Sequence, residues 1–269
     1  MVRMPHRGEI IVVASGKGGV GKTNLALNLG IQFARRGARA ILADADFGLA
    51  NADILLNLPS HANISSLLDE SRSPEDLLVE GPGGLRVLCG ISGFAQEGEL
   101  CELRPAQCTR AIERLDVLCD ALLIDCGSGV SDSLAAFALS CDRLVLVTTP
   151  EPTSLADAYA LLKILYSRGF RRPVGVVVNM SRSHEDGRAA AARLRRVTRE
   201  FLGLELDELG AIPHDRHVAS AVRERSPVVV RYPRCPASQS IDAISCRLAP
   251  QTEDVSASGV WTRMANLFF

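Results

Sequence analysis

At 269 residues, 47% of them hydrophobic but only 4% aromatic, the chain carries a formal net charge of −1. That length suits one large α/β domain and is short for two, and the aliphatic bias suits a core of buried parallel strands. Near-neutrality excludes a protein that coats nucleic acid by charge alone; eight cysteines with no C-x-x-C pair, and five scattered histidines, offer neither a disulfide framework nor a zinc motif and fit a reducing cytoplasm.

The first eight residues are too short and too polar for a signal peptide, and no run reaches transmembrane length, so a soluble intracellular protein is expected apart from its tail. Ile10 to Ala14 reads as an apolar strand, Ser15-Gly16-Lys17-Gly18-Gly19-Val20-Gly21-Lys22-Thr23 follows, and Leu25 to Ala34 reads as an amphipathic helix. Strand, glycine loop and helix form the setting of a phosphate-binding loop. The glycines at 16, 18, 19 and 21 let the backbone curl with its N–H groups inward, so that Gly18, Gly19, Val20, Gly21, Lys22, Thr23 and Asn24 cradle phosphates at the positive end of the helix. Lys22 can reach the β- and γ-phosphates of ATP, and the Thr23 hydroxyl can ligate Mg²⁺. Of 30 basic residues only three are lysines, and Lys17 and Lys22 both fall in this loop. A compact ammonium fits a phosphate nest where a wide guanidinium fork does not.

Arg35-Arg36-Gly37 ends the helix, and Ala38 to Ala43 reads as a second strand that delivers Asp44 and Asp46 to the carboxyl edge of the sheet, where such folds keep their ligands. A carboxylate there can orient an attacking water or hold the magnesium shell; equally, Asp44 can cap the turn that follows. Residues 57–84 read as short helices and loops, with helical pieces at 64–68 and 74–79, and a Pro82-Gly83-Gly84 turn leads into a strand at 85–89. An irregular loop is expected at 92–99. Pro105 to Leu118 repeats apolar residues at helical spacing, which leaves Arg110, Glu113, Arg114 and Asp116 as a solvated face. Ala121 to Ile124 is apolar and ends in Asp125, placed to reach Mg²⁺ through water. Cys126, Gly127 and Gly129 follow as a switch segment whose backbone can approach and leave the γ-phosphate.

A strand at 143–148 precedes a helix running to about Arg168, with Thr153 or Ser154 as its cap. The next strand, 174–178, ends at Asn179, whose amide can pair with adenine or can serve the turn. Arg193, Arg195, Arg196 and Arg199 lie on a helical stretch diluted by Glu185, Asp186 and Glu200, which reads as a solvated face rather than a nucleic-acid surface. A last strand at 209–212 brings Pro213 and Asp215 to the edge where a nucleotide base would lie. Residues 1–249 thus form one domain: an α/β P-loop NTPase fold with a mostly parallel, doubly wound sheet flanked by helices. Residues 250–258 read as a linker. Residues 259–269 place Val260, Trp261, Met264, Leu267 and Phe268 on one helical face, either a short interfacial membrane anchor or a terminal helix packed on the core.

The loop form Lys-Gly-Gly-Val-Gly-Lys-Thr resembles the deviant Walker A of the MinD/ParA superfamily of P-loop ATPases. Lys22-Thr23-Asn24, the run from Asp44 to Asp53, Glu80 to Gly84, Pro150 to Leu161, Asn179-Met180, Val197-Thr198 and Tyr232-Pro233-Arg234 resemble more narrowly the FlhG/FleN group of flagellar-number regulators, over about residues 9–248. The resemblance implies that Lys17 reaches the partner's phosphates in an ATP-bound homodimer, that Asp46 positions the attacking water and that Asp44 supports the metal region. It further implies slow, dimerisation-dependent hydrolysis of ATP to ADP with Mg²⁺, restraint of a flagellar master transcription activator, and reversible binding to inner-membrane lipid from the cytoplasm. Direct DNA binding is not expected. MinD-type division-site positioning and ParA-type DNA partitioning are the alternatives within the fold. Two departures stand out. Cys126-Gly127-Ser128-Gly129 replaces the group's small Thr/Ala residues, which implies a looser or slower switch. Met1 to Gly8 contain no glutamine, so the resemblance does not extend to stimulating a signal-recognition-type flagellar GTPase.

Overall fold

A computed structural model describes residues 7–46, 52–59, 62–90 and 104–249. Strand β1 (Glu9–Ser15) is buried along nearly its whole length, as a central parallel strand must be. It is followed by α1 (Lys22–Arg35), β2 (Ala40–Ala45), α2 (Ala52–Leu56), β3 (Val79–Glu80) and β4 (Arg86–Leu88). Then come α3 (Pro105–Leu115), β5 (Ala121–Ser128), α4 (Asp132–Ser140), β6 (Arg143–Thr148), α5 (Pro152–Ser167), β7 (Val174–Ser181), α6 (His184–Leu202) and β8 (Asp207–Pro213), and the described chain ends in α7 (Arg216–Arg223), α8 (Val228–Arg231) and α9 (Pro236–Leu248).

The eight strands form one sheet in the order β3-β4-β2-β5-β1-β6-β7-β8, parallel throughout except for the β3–β4 pair. The alternation of side chains along each strand divides the core into two layers. Ile10, Val12 and Ala14 face α3 to α6, whereas Ile11 and Val13 face α1, α8 and α9. Every residue of β1 from Ile10 to Ala14 is wholly buried, so a polar substitution on either face is costly. At the β8 edge, Arg247 donates to the carbonyls of Glu208 and Leu209, occupying acceptors at the start of the edge strand.

Several expected elements shift in detail. The second strand runs to Ala45 and so contains Asp44 itself. The pieces at 64–68 and 75–77 are 3-10 turns, the first closed by a reciprocal Asn63–Ser66 cap. The polar side of α3 is not uniformly solvated. Arg110 and Glu113 are exposed, but Arg114 donates to the carbonyls of Leu67, Asp69 and Arg72 and ties down the 64–72 segment. Asp116, just beyond the helix, is 3% exposed and paired with Arg7 at 2.7 Å. Burial pushes its pKa up, against the pull of Arg7. Neither Thr153 nor Ser154 caps α5: Glu151 precedes the helix, and the Ser154 hydroxyl accepts from the Thr149 amide and pairs with the Thr148 hydroxyl. The linker at 250–258, the helix at 259–269 and the loop at 92–99 lie outside the described residues. Among the described residues, no helix is long and apolar enough to cross a membrane.

Candidate nucleotide-binding site

The site is built where β1, β2 and β5 end side by side, with Val13 and Asp44 both in register with Asp125. Between β1 and α1 the chain turns through two left-handed residues, Gly19 (φ 77°) and Gly21 (φ 85°). Gly21 sits at the N-cap of α1 without any side-chain cap, so the first-turn amides of the helix keep their hydrogen-bonding capacity for a ligand. Gly16 serves a different purpose from the one its place in the loop implies. A Cβ there would lie 2.2 Å from the Asp157 carbonyl oxygen, so it lets the loop lie directly on α5. Gly18 has ordinary room, with the Ser128 hydroxyl 3.5 Å from an added Cβ, and both Gly18 and Gly19 face solvent.

Lys22 turns inward. Its Nζ donates to Asp125 Oδ1 at 2.9 Å, with the lysine side chain 7% and the aspartate 1% exposed. Burial works to lower the Lys22 pKa, but the Asp125 carboxylate outweighs it and the net shift is upward. Burial likewise raises the Asp125 pKa, with Lys22 and the Thr23 hydroxyl pulling it back. Among the described residues Asp125 Oδ2 accepts no hydrogen bond of good geometry, although it is fully buried. An orphaned, buried carboxylate oxygen beside a threonine hydroxyl is a donor set that suits Mg²⁺, a hard oxygen-seeking cation. Thr23 and Asp125 are therefore the residues that would hold the ion, which would supply charge neutralisation at the phosphates.

Asp46 lies at the same edge. A Cβ on Gly127 would sit 3.4 Å from Asp46 Oδ1, and the Asp46 charge is felt by both Lys22 and Asp125. Residues 47–51 of the same motif lie outside the described residues. Asp44, expected near the metal, is instead a loop brace in this structure. Its Oδ1 accepts from the Asp46 amide at 3.0 Å and its Oδ2 from the Ala52 amide at 3.1 Å, which takes the turn-capping side of the two readings open for it. In the switch segment, Cys126 is a core residue in register with Ala45, with burial driving its thiol pKa well up. Gly129 is left-handed (φ 82°) and its amide donates to the Ser15 carbonyl, tying the segment to the base of the loop.

Lys17 does not point at its own phosphate site. Its Nζ donates to Glu151 Oε2 at 3.1 Å and lies 3.4 Å from the Thr153 hydroxyl, with 41% of the side chain exposed. Asn179 donates to the Val20 carbonyl at 2.8 Å and accepts from the Met180 amide at 2.9 Å, so its amide clasps the loop to β7. Pro213 ends β8, half-buried. Asp215 is not available to a base: its carboxylate accepts from the amides of His217 and Ala237 and from the His217 ring. Burial works to raise its pKa, but those donors and the Cys235 thiol outweigh it and bring the value down to about 2.

Sequence reasoning missed Glu151, Asn28 and the approach of His217 and Cys235 to Asp215. Glu151 carries no signal in the sequence beyond its place in the run from Pro150 to Leu161. Asn28 is a wholly buried amide within α1 that accepts from the Val229 amide and donates to the Asn24 carbonyl, joining α1 to α8. An asparagine on the apolar face of a helix was the available signal. Asp215, His217 and Cys235 converge on one another, against the expectation that the histidines join no ligand set. His217 and Cys235 are 18 positions apart, so no short motif announces them. The proposed anchor residues Trp261, Met264, Leu267 and Phe268 lie outside the described residues.

Residues 7–249 match the ParA family described as NUBPL iron-transfer P-loop NTPase. The chain belongs to the ParA/MinD family of P-loop NTPases. It is 36% identical to the antiactivator FleN of Pseudomonas aeruginosa over 240 residues, covering 89% of this chain and 86% of that protein. It is 33% identical to the flagellum site-determining protein YlxH of Helicobacter pylori, covering 91% and 83%. The fold matches the cell division ATPase MinD of Pyrococcus furiosus with a TM-score of 0.75 at 25% identity, over 90% of this chain and 98% of that one. It also matches a MinC:MinD cell division complex from Aquifex aeolicus, with a TM-score of 0.73 at 27% identity, over 90% and 95%. This ParA/MinD-family protein is accordingly an ATPase with a single α/β domain, its expected fold class.

Proposed function

We propose that the protein is an ATP-driven monomer–dimer switch that regulates flagellar number or placement. One observation carries the switch: of the two loop lysines, Lys22 is buried against Asp125 while Lys17 reaches outward to Glu151. A lysine that leaves its own phosphate nest is positioned to serve a second copy, where an added positive charge offsets the charge developing during phosphoryl transfer. Asp46 orients the attacking water beside Gly127. Mg²⁺ is held through Thr23 and Asp125. The likeness to FleN and YlxH supports a flagellar output, with a transcription activator as the partner of the ATP dimer. The 259–269 segment would then supply reversible attachment to the inner membrane, since two weak anchors presented by a dimer bind far better than one.

Light scattering or ultracentrifugation with ATP and Mg²⁺ tests the switch, comparing the wild type with Lys17→Ala and Asp46→Ala. Dimers that need ATP, persist in Asp46→Ala with slowed turnover, and fail to hydrolyse in Lys17→Ala are the expected result. A protein that turns over ATP as a monomer, with Lys17→Ala unaffected, overturns it. The likeness to the MinC:MinD complex keeps division-site positioning as the second reading, and ATP-dependent capture of a division inhibitor rather than a transcription activator would favour that one.

A further inference from the structure

We propose that Asp215, His217 and Cys235 form a zinc site that clamps the C-terminal helices. One ligand atom from each of the three lies within 4.8 Å of the others. They supply an oxygen, a nitrogen and a sulfur, a mixed borderline set that suits Zn²⁺ and is poorly matched to Mg²⁺ or Ca²⁺. Cys235 is 7% exposed and the Asp215 side chain 5%, whereas His217 is 36% exposed and leaves a path for the ion and a fourth position for water.

Each donor already sits in a supporting shell. The amides of His217 and Ala237 orient the two Asp215 oxygens, and the Cys235 sulfur lies 3.3 Å from the Ser238 hydroxyl. The His217 ring is further fixed against Tyr232, with ring centroids 4.9 Å apart. In the metal-free arrangement protons hold the cluster together, one of them between His217 Nδ1 and Asp215 Oδ1 at 2.7 Å. Zinc binding replaces them: the Cys235 thiol proton leaves to solvent, and the imidazole proton moves from Nδ1 to Nε2 as Nδ1 takes the metal. Asp215 and the Cys235 thiolate then balance the two charges of the ion. Ligand atoms around a tetrahedral zinc lie about 3.3–3.6 Å apart, so a separation of 4.8 Å closes by about 1.2–1.5 Å and the His217–Asp215 pair opens from 2.7 Å, both through side-chain rotation.

The site has structural consequences for the nucleotide domain. Asp215 and Cys235 are the N-cap residues of α7 and α9, so the ion would join the two helices whose intervening segment is fastened to α1. That fastening is made by Asn28 to the Val229 amide and by Arg35 to the Val229 carbonyl.

The test uses the full chain stripped with chelator, with Mg²⁺ in excess and no nucleotide, titrated with Co²⁺ as a spectroscopic stand-in. The expected result is one Co²⁺ per chain with a thiolate-to-cobalt charge-transfer band and the intense d–d bands of a tetrahedral site. Cys235→Ser should abolish the charge-transfer band, and His217→Gln should weaken binding by at least about tenfold, more than loss of a supporting shell contact. Cys246→Ser, altering the exposed cysteine, should change nothing. At equal concentration Zn²⁺ should raise the melting temperature of the wild type by more than that of His217→Gln. A weak octahedral spectrum, a charge-transfer band that survives Cys235→Ser or disappears in Cys246→Ser, or unchanged affinity in a natively folded His217→Gln overturns the proposal.

Discussion

The phosphate-binding end of the sheet and the helical segment from His214 to Ala249 are both stitched together by buried polar groups, and they differ in how completely those groups are satisfied. Around the helical segment the buried groups meet their partners: Asn28, on the face of α1 packed against it, is used at both ends of its amide, and Asp215 takes donors on both oxygens. At the phosphate end Asp125 Oδ2 has none of good geometry, and the first-turn amides of α1 have no side-chain cap. A buried polar group left without a partner calls for a ligand, whereas satisfied groups hold the packing and, as at Asp215, take a metal only by exchanging a proton-mediated contact for it. The contrast agrees with the loop motif in marking the phosphate end as a place for a ligand.

The largest test of that contrast is Lys22→Ala. It removes the sole cation bonded to Asp125 among the described residues and leaves a buried carboxylate uncompensated, which typically costs about 3–5 kcal/mol. The denaturation midpoint should fall accordingly, and ATP binding should be lost with it. Lys22→Ala combined with Asp125→Ala should recover part of the stability but none of the nucleotide binding. Recovery of both would mean that the pair is structural and the phosphates are held elsewhere.

Asn28→Ala probes the other side. It strands the Val229 amide in a dry environment, which costs about 1–3 kcal/mol. The substitution also frees the Asn24 carbonyl at the start of α1, but α1 keeps its own backbone ladder and no phosphate-loop side chain is removed, so ATP affinity per folded molecule should stay within about twofold, a difference of roughly 0.4 kcal/mol. A large drop in affinity would show that the two regions are coupled, with the helical segment helping to set the nucleotide site.

Legibility in the amino-acid sequence follows the same divide. The phosphate end was legible because its parts are local or tied to strand ends: glycines, Lys22 and Thr23 within one loop, and Asp125 at the close of an apolar run. The parallel sheet was legible from the apolar strands themselves. What escaped was set by contacts across the chain. Gly16 is small because α5 lies against it 141 residues away, at Asp157. Asp44 and Asp46 look alike in sequence, yet one is consumed by the Ala52 amide and the other stands beside Gly127. Asp116 and Arg114 fall on the polar side of a helix, yet loops fold over them. Composition cannot signal such placements, since each depends on where a distant segment returns.

Glu151→Ala sharpens the comparison at a smaller scale, since the Lys17–Glu151 pair is exposed on both sides. Such pairs contribute about 0.2–1 kcal/mol, so stability should barely move. If Glu151 holds Lys17 back in the monomer, its removal should tighten ATP-dependent dimerisation by up to about fivefold, which is the same energy expressed as an equilibrium constant. Weaker dimerisation would instead place Glu151 in the dimer contact itself.

The smallest effect concerns the cysteines, which report on rigidity without disturbing it. Burial pushes the thiols of Cys119 and Cys141 up to about 12 and that of Cys126 well above its ordinary value. A thiolate is the reactive form, so at neutral pH these three should resist an aqueous thiol reagent until the domain unfolds. Cys246 is exposed on α9 and should react at once. Its sulfur lies 3.1 Å from the Arg36 guanidinium, which also pairs with Asp242. Modification there should cost no more than about 0.5 kcal/mol, as for other exposed contacts. Mass spectrometry of peptides after brief labelling separates the sites. Early labelling of Cys126 would show that the strand behind the ATP site opens far more readily than the helices beside it. It would reverse the ranking of the two regions, making the unsatisfied end of the sheet also its loosest part.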